Sequence, residues 1–256
     1  MTGFERAGGA ELECDGVPLG DVAARFGTPL FLYSRAAIEE AWRRYETAFA
    51  GVSHRICYAV KANGNGAVLR ILAGLGAGAD IVSGGEMLQA LRAGFPPERI
   101  VFAGVGKTDE ELALGLDQRI GEFNAESEEE IVRLGEVAAA RGVVARVSLR
   151  VNPDIDPQTH PYISTGLREA KFGVPIARAP EILRRSRDRP GIRVVGLQCH
   201  LGSQITDLEP LTAAARGIAG LSRQLLAEGF ALETLDLGGG LGVDYENGGG
   251  AEPAAL

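Results

Sequence analysis

Short segments rich in apolar and β-branched residues alternate with segments of helical periodicity along most of the chain. The strand candidates are 55–60, 79–83, 99–104, 120–125, 145–151, 193–200 and 234–238, and the helix candidates are 66–76, 84–94, 108–116, 127–141, 178–188 and 207–229. Strand–helix alternation at this spacing predicts a parallel sheet whose strands are joined by helical crossovers.

Capping residues support several of the predicted helix boundaries. Ser127 precedes three glutamates, and Asp207 precedes the longest helical segment. Serine and aspartate side chains accept hydrogen bonds from the free N–H groups of a first helical turn. Gly94 and Gly229 stand where helices commonly end in a left-handed residue. We therefore expect helix ends near these four residues.

The two faces of the predicted strands differ in polarity. The alternate residues from Cys57 to Lys61 are small or polar, whereas those from Ile56 to Val60 are apolar. The same division occurs in 122–126, 145–151, 193–200 and 234–238. An open, doubly wound sheet with helices on both sides would be apolar on both faces. A TIM-like (β/α)8 barrel with a polar interior is therefore preferred to the open sheet, although the chain carries only seven strand candidates.

Composition and charge exclude several classes of function. The chain has 256 residues and a formal net charge of −8, without the basic stripe of a nucleic-acid-binding protein. It shows neither a signal-peptide pattern at its start nor an apolar run of membrane-spanning length. Cys14, Cys57 and Cys199 are widely spaced and read as reduced thiols of a cytoplasmic protein.

Reactive residues follow the predicted strands at the end where barrel enzymes build their active sites. Lys61 ends the first strand, Asp80 lies in the second with Glu86 close behind, Arg150 ends the fifth, and His200 ends the sixth. A lysine is costly to bury unless it is paired or has a chemical role, so a solvated surface lysine is the alternative for Lys61. Histidine and carboxylate spacings do not match a metal site, and no metal is predicted.

A glycine run, Gly238 to Gly240, follows the seventh predicted strand. Successive glycines let backbone N–H groups converge on an anion, and barrel phosphate sites commonly follow strands seven and eight. A flexible loop is the alternative. A phosphate site together with a strand-end lysine suggests pyridoxal 5'-phosphate, with the ring of His200 as a flat partner. A Ser203–His200 nucleophile pair is disfavoured, because residues three apart on one loop seldom form such a pair.

Several motifs resemble those of the diaminopimelate decarboxylases, a branch of the fold-type III pyridoxal-phosphate-dependent decarboxylases of the alanine racemase fold. They are YAVKAN (58–63), GADIVSGGE (78–86), FNAES (123–127), LRVNPDIDPQTHPYISTG (149–166), KFG (171–173), HLGSQ (200–204) and LDLGGGLG (235–242). The segment NPDIDPQTHPYISTG together with KFG points to the diaminopimelate branch.

The resemblance implies roles for individual residues. Lys61 and His200 would be catalytic, the first bonding to the cofactor aldehyde and the second stacking on its ring. Ser203, Gly238, Gly239 and above all Gly240 would bind the phosphate, while Asp80, Glu86 and Arg150 would lie near the cofactor. The resemblance assigns no role to Thr159 or His160.

The resemblance also implies an activity, the decarboxylation of meso-2,6-diaminopimelate to L-lysine and CO2 in the last step of lysine biosynthesis, by a cytoplasmic homodimer. A decarboxylase of ornithine, arginine or carboxynorspermidine and a non-catalytic cofactor-binding barrel are the alternatives. The EPGR-type motif of the eighth strand and the CES motif of the family's C-terminal β-domain do not occur. We therefore expect an N-terminal fragment with little decarboxylase activity alone, in which 1–30 would pack against the absent β-domain and 31–256 form an incomplete barrel.

Overall fold

The computed structural model describes residues 3–7, 11–155, 172–243, 245 and 252–255. The strands are β1 (Phe4–Ala7), β2 (Glu11–Cys14), β3 (Val17–Pro18), β4 (Cys57–Ala59), β5 (Gly78–Ile81), β6 (Ile100–Phe102), β7 (Glu122–Ala125), β8 (Ala145–Asn152), β9 (Val174–Pro175), β10 (Ile192–Gln198) and β11 (Thr234–Asp236). The helices are α1 (Leu19–Phe26), α2 (Arg35–Phe49), α3 (Gly66–Gly74), α4 (Gly84–Ala93), α5 (Asp109–Asp117), α6 (Glu128–Ala140), α7 (Ala179–Ser186) and α8 (Glu209–Ala227).

Seven parallel strands form the main sheet in chain order. They are β4, β5, β6, β7, β8, β10 and β11, and the two-residue β9 adds a short pairing at the C-terminal end of β8. One helix, from α3 to α8, lies in each connection between consecutive strands of this sheet. The predicted alternation of seven strands with six helices is therefore confirmed.

Side-chain contacts between non-adjacent strands reveal strong curvature of this sheet. Asn124 on β7 donates a hydrogen bond from Nδ2 to Oδ2 of Asp236 on β11 over 3.1 Å. Thr234 on β11 donates from Oγ1 to Glu122 on β7 over 3.2 Å. Strands three positions apart in a flat sheet would be separated by about 14 Å. The sheet therefore curls around a shared interior, as in a barrel and unlike an open doubly wound sheet.

The helices cover the apolar face of the curved sheet. Ile81, Phe102, Phe123, Leu149 and Leu197 are buried there in one continuous core. The intervening residues of the same strands face the interior, where polar side chains collect. The predicted division of the strands into an apolar and a polar face is confirmed, and it places the polar groups where a ligand could reach them.

Three of the four predicted helix ends are correct. Ser127 caps α6 by accepting a hydrogen bond at Oγ from the backbone N–H of Glu130. Gly94 directly after α4 and Gly229 two residues after α8 adopt positive φ values of 98° and 86°. The prediction for Asp207 was wrong by one position, because the residue preceding α8 is Leu208. The Asp207 carboxylate still accepts a hydrogen bond from the first N–H of that helix.

Strands β1 to β3 form a separate antiparallel sheet that the sequence analysis did not predict. Asp15, in the turn after β2, fastens it to the start of α2. Its carboxylate accepts hydrogen bonds from Ser34 Oγ at 2.6 Å and from the backbone N–H of Ala36 at 3.2 Å. Phe31, between this sheet and the barrel, is 92% exposed. Packing of residues 1–30 against a further β-domain stays a prediction.

Gly196 on β10 provides a test of how tightly the barrel interior is packed. A Cβ atom at Gly196 would overlap the hydroxyl groups of Ser148 and Thr234. We expect Gly196→Val to lower the free energy of unfolding by about 1–3 kcal/mol, as overpacking does. The loss is measured as a lower urea concentration at the midpoint of unfolding, while the slope of the unfolding free energy against urea concentration stays unchanged. Gly220 in α8 has no atom within 4 Å of a Cβ position, so Gly220→Ala should not destabilise the chain. Equal losses of stability in Gly196→Val and Gly220→Ala would contradict the close packing inferred at Gly196.

Candidate active site

Side chains from four strands and the glycine run after a fifth meet at the C-terminal end of the barrel. Lys61 lies in a 3-10 turn directly after β4, Asp80 is on β5, Arg150 is on β8, and His200 follows β10 by two residues. The glycine run follows β11. The positive charges of Lys61 and Arg150 act on both Asp80 and His200. The structure thus brings these predicted site residues into one electrostatic environment.

Lys61 is accessible, whereas the other described lysine is not. The chain has three lysines, of which Lys171 lies outside the described residues. Lys107 donates from Nζ to the carbonyl oxygens of Gly104 and Asn124, at 2.6 and 2.9 Å, and to Oε1 of Glu130 at 2.6 Å. Because the three protons of Lys107 all have acceptors, this ammonium is a structural cation. Lys61 is exposed at the open end of the interior.

Asp80 carries a carboxyl group that can exchange a proton at neutral pH. Burial, reinforced by the nearby carboxylate of Asp236, raises the pKa of Asp80 to about 7, although Lys61 opposes the shift. Glu86 adds a smaller upward effect on the same pKa. The Glu86 carboxylate itself accepts a hydrogen bond from the backbone N–H of Val82 at 2.8 Å, at the start of α4. A cofactor contact of Glu86 stays a prediction.

His200 is a neutral imidazole at physiological pH. Burial first, and then the positive charges of Arg150 and Lys61, lower the pKa of His200 to about 4. The backbone N–H of Gly239 donates to Nδ1 of His200 over 3.3 Å. This bond requires an unprotonated Nδ1 and therefore leaves the proton of the neutral ring on Nε2. The ring is held at one edge and can offer its flat face to an aromatic ligand.

Arg150 is held by a buried ion pair that the sequence analysis did not assign to the site. Its Nη1 donates to Oε1 of Glu126 at 2.8 Å, and Oε2 of Glu126 accepts from the backbone N–H of Gly173 at 3.0 Å. The guanidinium carbon lies 5.0 Å from the ring centroid of Phe172. Glu126 shares strand parity with Glu122 and Asn124. A buried arginine's need for a carboxylate partner was the signal that could have identified Glu126.

The glycine run is a fixed turn. The carbonyl oxygen of Gly240 accepts from the backbone N–H of Ile205 at 2.8 Å, and Gly242 donates back to Ile205 over the same distance. Gly238 and Gly240 have φ values of 70° and 105°. Added Cβ atoms at these two positions would overlap the carbonyl groups of Cys199 and Gly202.

The backbone N–H groups of the run differ in availability. Gly238 donates to Asp236 Oδ1 at 2.8 Å, and Gly239 donates to His200. Within the described part of the chain the N–H of Gly240 has no acceptor. Ser203, in the neighbouring loop, is exposed. Gly240 is therefore the glycine of the run best placed to donate to an anion, and this agrees with its leading position among the predicted phosphate ligands.

The described residues contain neither a candidate metal cluster nor a candidate membrane-spanning helix. Their histidine, cysteine, aspartate and glutamate side chains form no group of three or more that could hold a metal ion. The described helices include none that is long and apolar enough to cross a bilayer. Thr159, His160 and the YISTG segment lie outside the described residues.

Family comparison identifies the class of protein to which the chain belongs. Residues 35–255 match the family model described as pyridoxal-dependent decarboxylase, pyridoxal binding domain. The chain therefore belongs to the pyridoxal-dependent decarboxylase family and contains its pyridoxal-binding domain.

Individual relatives define a narrower similarity. The chain is 52% identical over 238 residues to diaminopimelate decarboxylase of Pseudomonas aeruginosa, covering 93% of this chain and 57% of that protein. It is similar to the crystal structure of diaminopimelate decarboxylase from Helicobacter pylori complexed with L-lysine, with a TM-score of 0.90, 42% identity, and coverage of 93% and 60% of the two chains. The M. jannaschii diaminopimelate decarboxylase in co-complex with L-lysine gives a TM-score of 0.90 at 37% identity, with coverage of 98% and 60%. The chain thus spans less than two thirds of the length of these relatives.

The neutral state of His200 can be measured directly. We expect its imidazole resonances, assigned by their loss in His200→Asn, to titrate with a midpoint of about 4. Lys61→Met removes one of the repelling charges and should raise the midpoint, which stays below 6.5 because burial is the largest cause of the shift.

The matched control for this titration is Arg35→Met, which removes an exposed cation paired with Glu39 on α2. It should leave the midpoint of His200 unchanged. A midpoint near 6.5 in the unsubstituted chain would contradict the burial of the ring. An equal rise in both variants would contradict the specific effect of Lys61.

Proposed function

We propose that the protein containing this chain decarboxylates meso-2,6-diaminopimelate to L-lysine and CO2, with pyridoxal 5'-phosphate bound in the barrel interior. The observation that carries the proposal is the accessible amine of Lys61 at the same barrel end as the glycine turn. The names of the relatives and the L-lysine in two of the solved structures support this substrate class. The chain covers only part of those relatives, so the complete reaction needs a direct test.

The residues present fit the cofactor. Lys61 offers an amine for its aldehyde, and His200 offers a neutral ring for its pyridine face. The N–H of Gly240 and the hydroxyl of Ser203 are candidate donors to its phosphate. Two amide oxygens, Asn124 Oδ1 and Gln198 Oε1, are buried without a hydrogen-bond partner among the described residues. The interior is thus polar and holds unused acceptors as well as donors, as a site for a polar ring requires.

Each ionisable residue has a distinct part in the proposed reaction. Bound pyridoxal phosphate supplies the electron sink that accepts the electron pair left behind when CO2 departs. Lys61 would hold the cofactor through its amine, and its exposure would let the amino group of a substrate reach the same position. Asp80, with a pKa near 7, can exchange a proton close to Lys61 at neutral pH. His200 would stay uncharged and orient the ring, while Arg150 supplies positive charge close to His200.

We also propose that the complete protein is a cytoplasmic homodimer. Cys14, Cys57 and Cys199 are free thiols, as a reducing compartment favours. Exposed aromatic residues before the barrel, such as Phe26 at 69%, offer apolar surface for a further contact. Light scattering of the purified complete gene product should give twice the mass of one chain. A monomeric mass at micromolar concentration would contradict the dimer.

Lys61→Ala tests the attachment of the cofactor. We expect the unsubstituted protein, incubated with pyridoxal phosphate and reduced with borohydride, to gain the mass of one cofactor on the peptide containing Lys61. Lys61→Ala should lose this adduct, because the amine of Lys107 is committed to three acceptors. Lys171→Ala is the matched control and should keep the adduct. An adduct that persists in Lys61→Ala, on either other lysine, would contradict the assignment.

A comparison of substrates tests the proposed reaction. The complete gene product is supplied separately with meso-diaminopimelate, ornithine, arginine and carboxynorspermidine, and CO2 release is measured. We expect kcat/KM to be highest for meso-diaminopimelate and lost in Lys61→Ala. A higher value for another substrate would favour a related decarboxylase. Cofactor binding without turnover of any substrate would favour a non-catalytic barrel.

A further inference from the structure

Asp236, the last residue of β11, directs its carboxylate into the barrel interior and uses both oxygens there. Oδ1 accepts from the backbone N–H of Gly238 at 2.8 Å, and Oδ2 accepts from Nδ2 of Asn124 at 3.1 Å. The first bond closes a turn two residues long at the start of the glycine run. The second bond crosses the interior to β7 and fixes the orientation of the carboxylate.

The bond to Gly238 sets the direction of the backbone that follows. Gly238 has a φ of 70° and lies against the carbonyl group of Cys199, so the turn has little freedom to shift toward β10. The next N–H, that of Gly239, donates to the imidazole of His200. The one after it, that of Gly240, is the N–H without an acceptor among the described residues. The orientation of the Gly240 N–H thus depends on a turn that Asp236 closes.

A carboxylate at this position has a desolvation cost that its hydrogen bonds offset only in part. Burial raises the pKa of Asp236, while the bonds from Gly238 and Asn124 act in the opposite direction. A negative charge near a phosphate would repel it. The charge is therefore useful there only if it organises donors that themselves contact the phosphate. Each oxygen of Asp236 already accepts one hydrogen bond, so the carboxylate is held in a single orientation.

We propose that Asp236 and Asn124 are positioning residues, which orient the N–H of Gly240 toward the phosphate of a pyridoxal phosphate ligand without touching that phosphate themselves. The inference rests on the proposed binding of the cofactor in this interior. It adds that recognition of the phosphate, in contrast to capture of the aldehyde by Lys61, depends on a hydrogen-bond chain that runs from β7 to the glycine turn.

The test compares two ligands that differ only in the phosphate. Dissociation constants of pyridoxal phosphate and of pyridoxal are measured by spectroscopic titration of the complete gene product and its variants. Asp236→Ala should raise the dissociation constant of pyridoxal phosphate by at least about tenfold, equivalent to about 1.4 kcal/mol. It should change the binding of pyridoxal by less than about threefold. Asn124→Ala should reduce the preference for pyridoxal phosphate over pyridoxal by a smaller factor, because the hydrogen bond from Gly238 to Asp236 survives.

Two further variants separate positioning from general damage. Asp236→Asn keeps an acceptor for Gly238, and its amide can donate to Asn124 if that side chain turns its unpartnered Oδ1 inward. It should therefore retain most of the selectivity for the phosphate. Glu122→Gln alters another buried carboxylate of the interior, one bound by Ser148 and Thr234 away from the glycine run. It should leave the selectivity unchanged.

Each outcome bears on one of the two proposals. If Asp236→Ala loses affinity for pyridoxal phosphate and pyridoxal equally, or for neither, the positioning role is overturned. The proposal that the protein binds the cofactor would then still stand. A loss of selectivity in Glu122→Gln equal to that in Asp236→Ala would also overturn it. If the unsubstituted protein binds neither ligand, the proposed function fails, and the positioning role fails with it.

Discussion

Carboxylates buried inside a curved parallel sheet must find hydrogen-bond donors within the same interior. Glu122 is satisfied by the hydroxyl groups of Ser148 and Thr234. Asp236 is satisfied by the glycine turn and by Asn124, and Glu126 by Arg150 and a backbone amide. Without these donors each ionised group would be left buried and uncompensated, at a cost of several kcal/mol. Curvature of the sheet is what brings the donors of one strand to the acceptors of another.

The same interactions arrange the candidate active site. Glu126 holds Arg150 where its charge helps to keep His200 neutral, and Asp236 closes the turn that reaches His200 through Gly239. Asp80 is the exception, since no donor among the described residues contacts its carboxylate. Burial and the nearby carboxylate of Asp236 raise its pKa to about 7, so its proton is exchangeable at neutral pH.

Strand parity explains why so much of the fold was predictable. A seven-residue segment such as 145–151 displays its alternation without help from the rest of the chain, and Ser127 or Gly94 mark helix ends by purely local chemistry. The two-residue strands β3 and β9 are too short for a period to be recognised. Asp207 was misplaced because a carboxylate one residue farther from the helix can still reach its first N–H.

Partners brought together by the tertiary structure were not identified from the sequence. Glu126 and Asn124 were visible as polar residues of one strand face, but their partners Arg150 and Asp236 lie 24 and 112 residues away. Lys107 resembles a solvated loop lysine in the sequence, whereas the fold surrounds it with three acceptors. Lys61 and Lys107 are chemically identical side chains on neighbouring parts of one barrel. Their different roles follow from the acceptors around them, because an amine whose protons are all committed cannot attack an aldehyde, whereas an exposed amine beside a proton-exchanging carboxyl can.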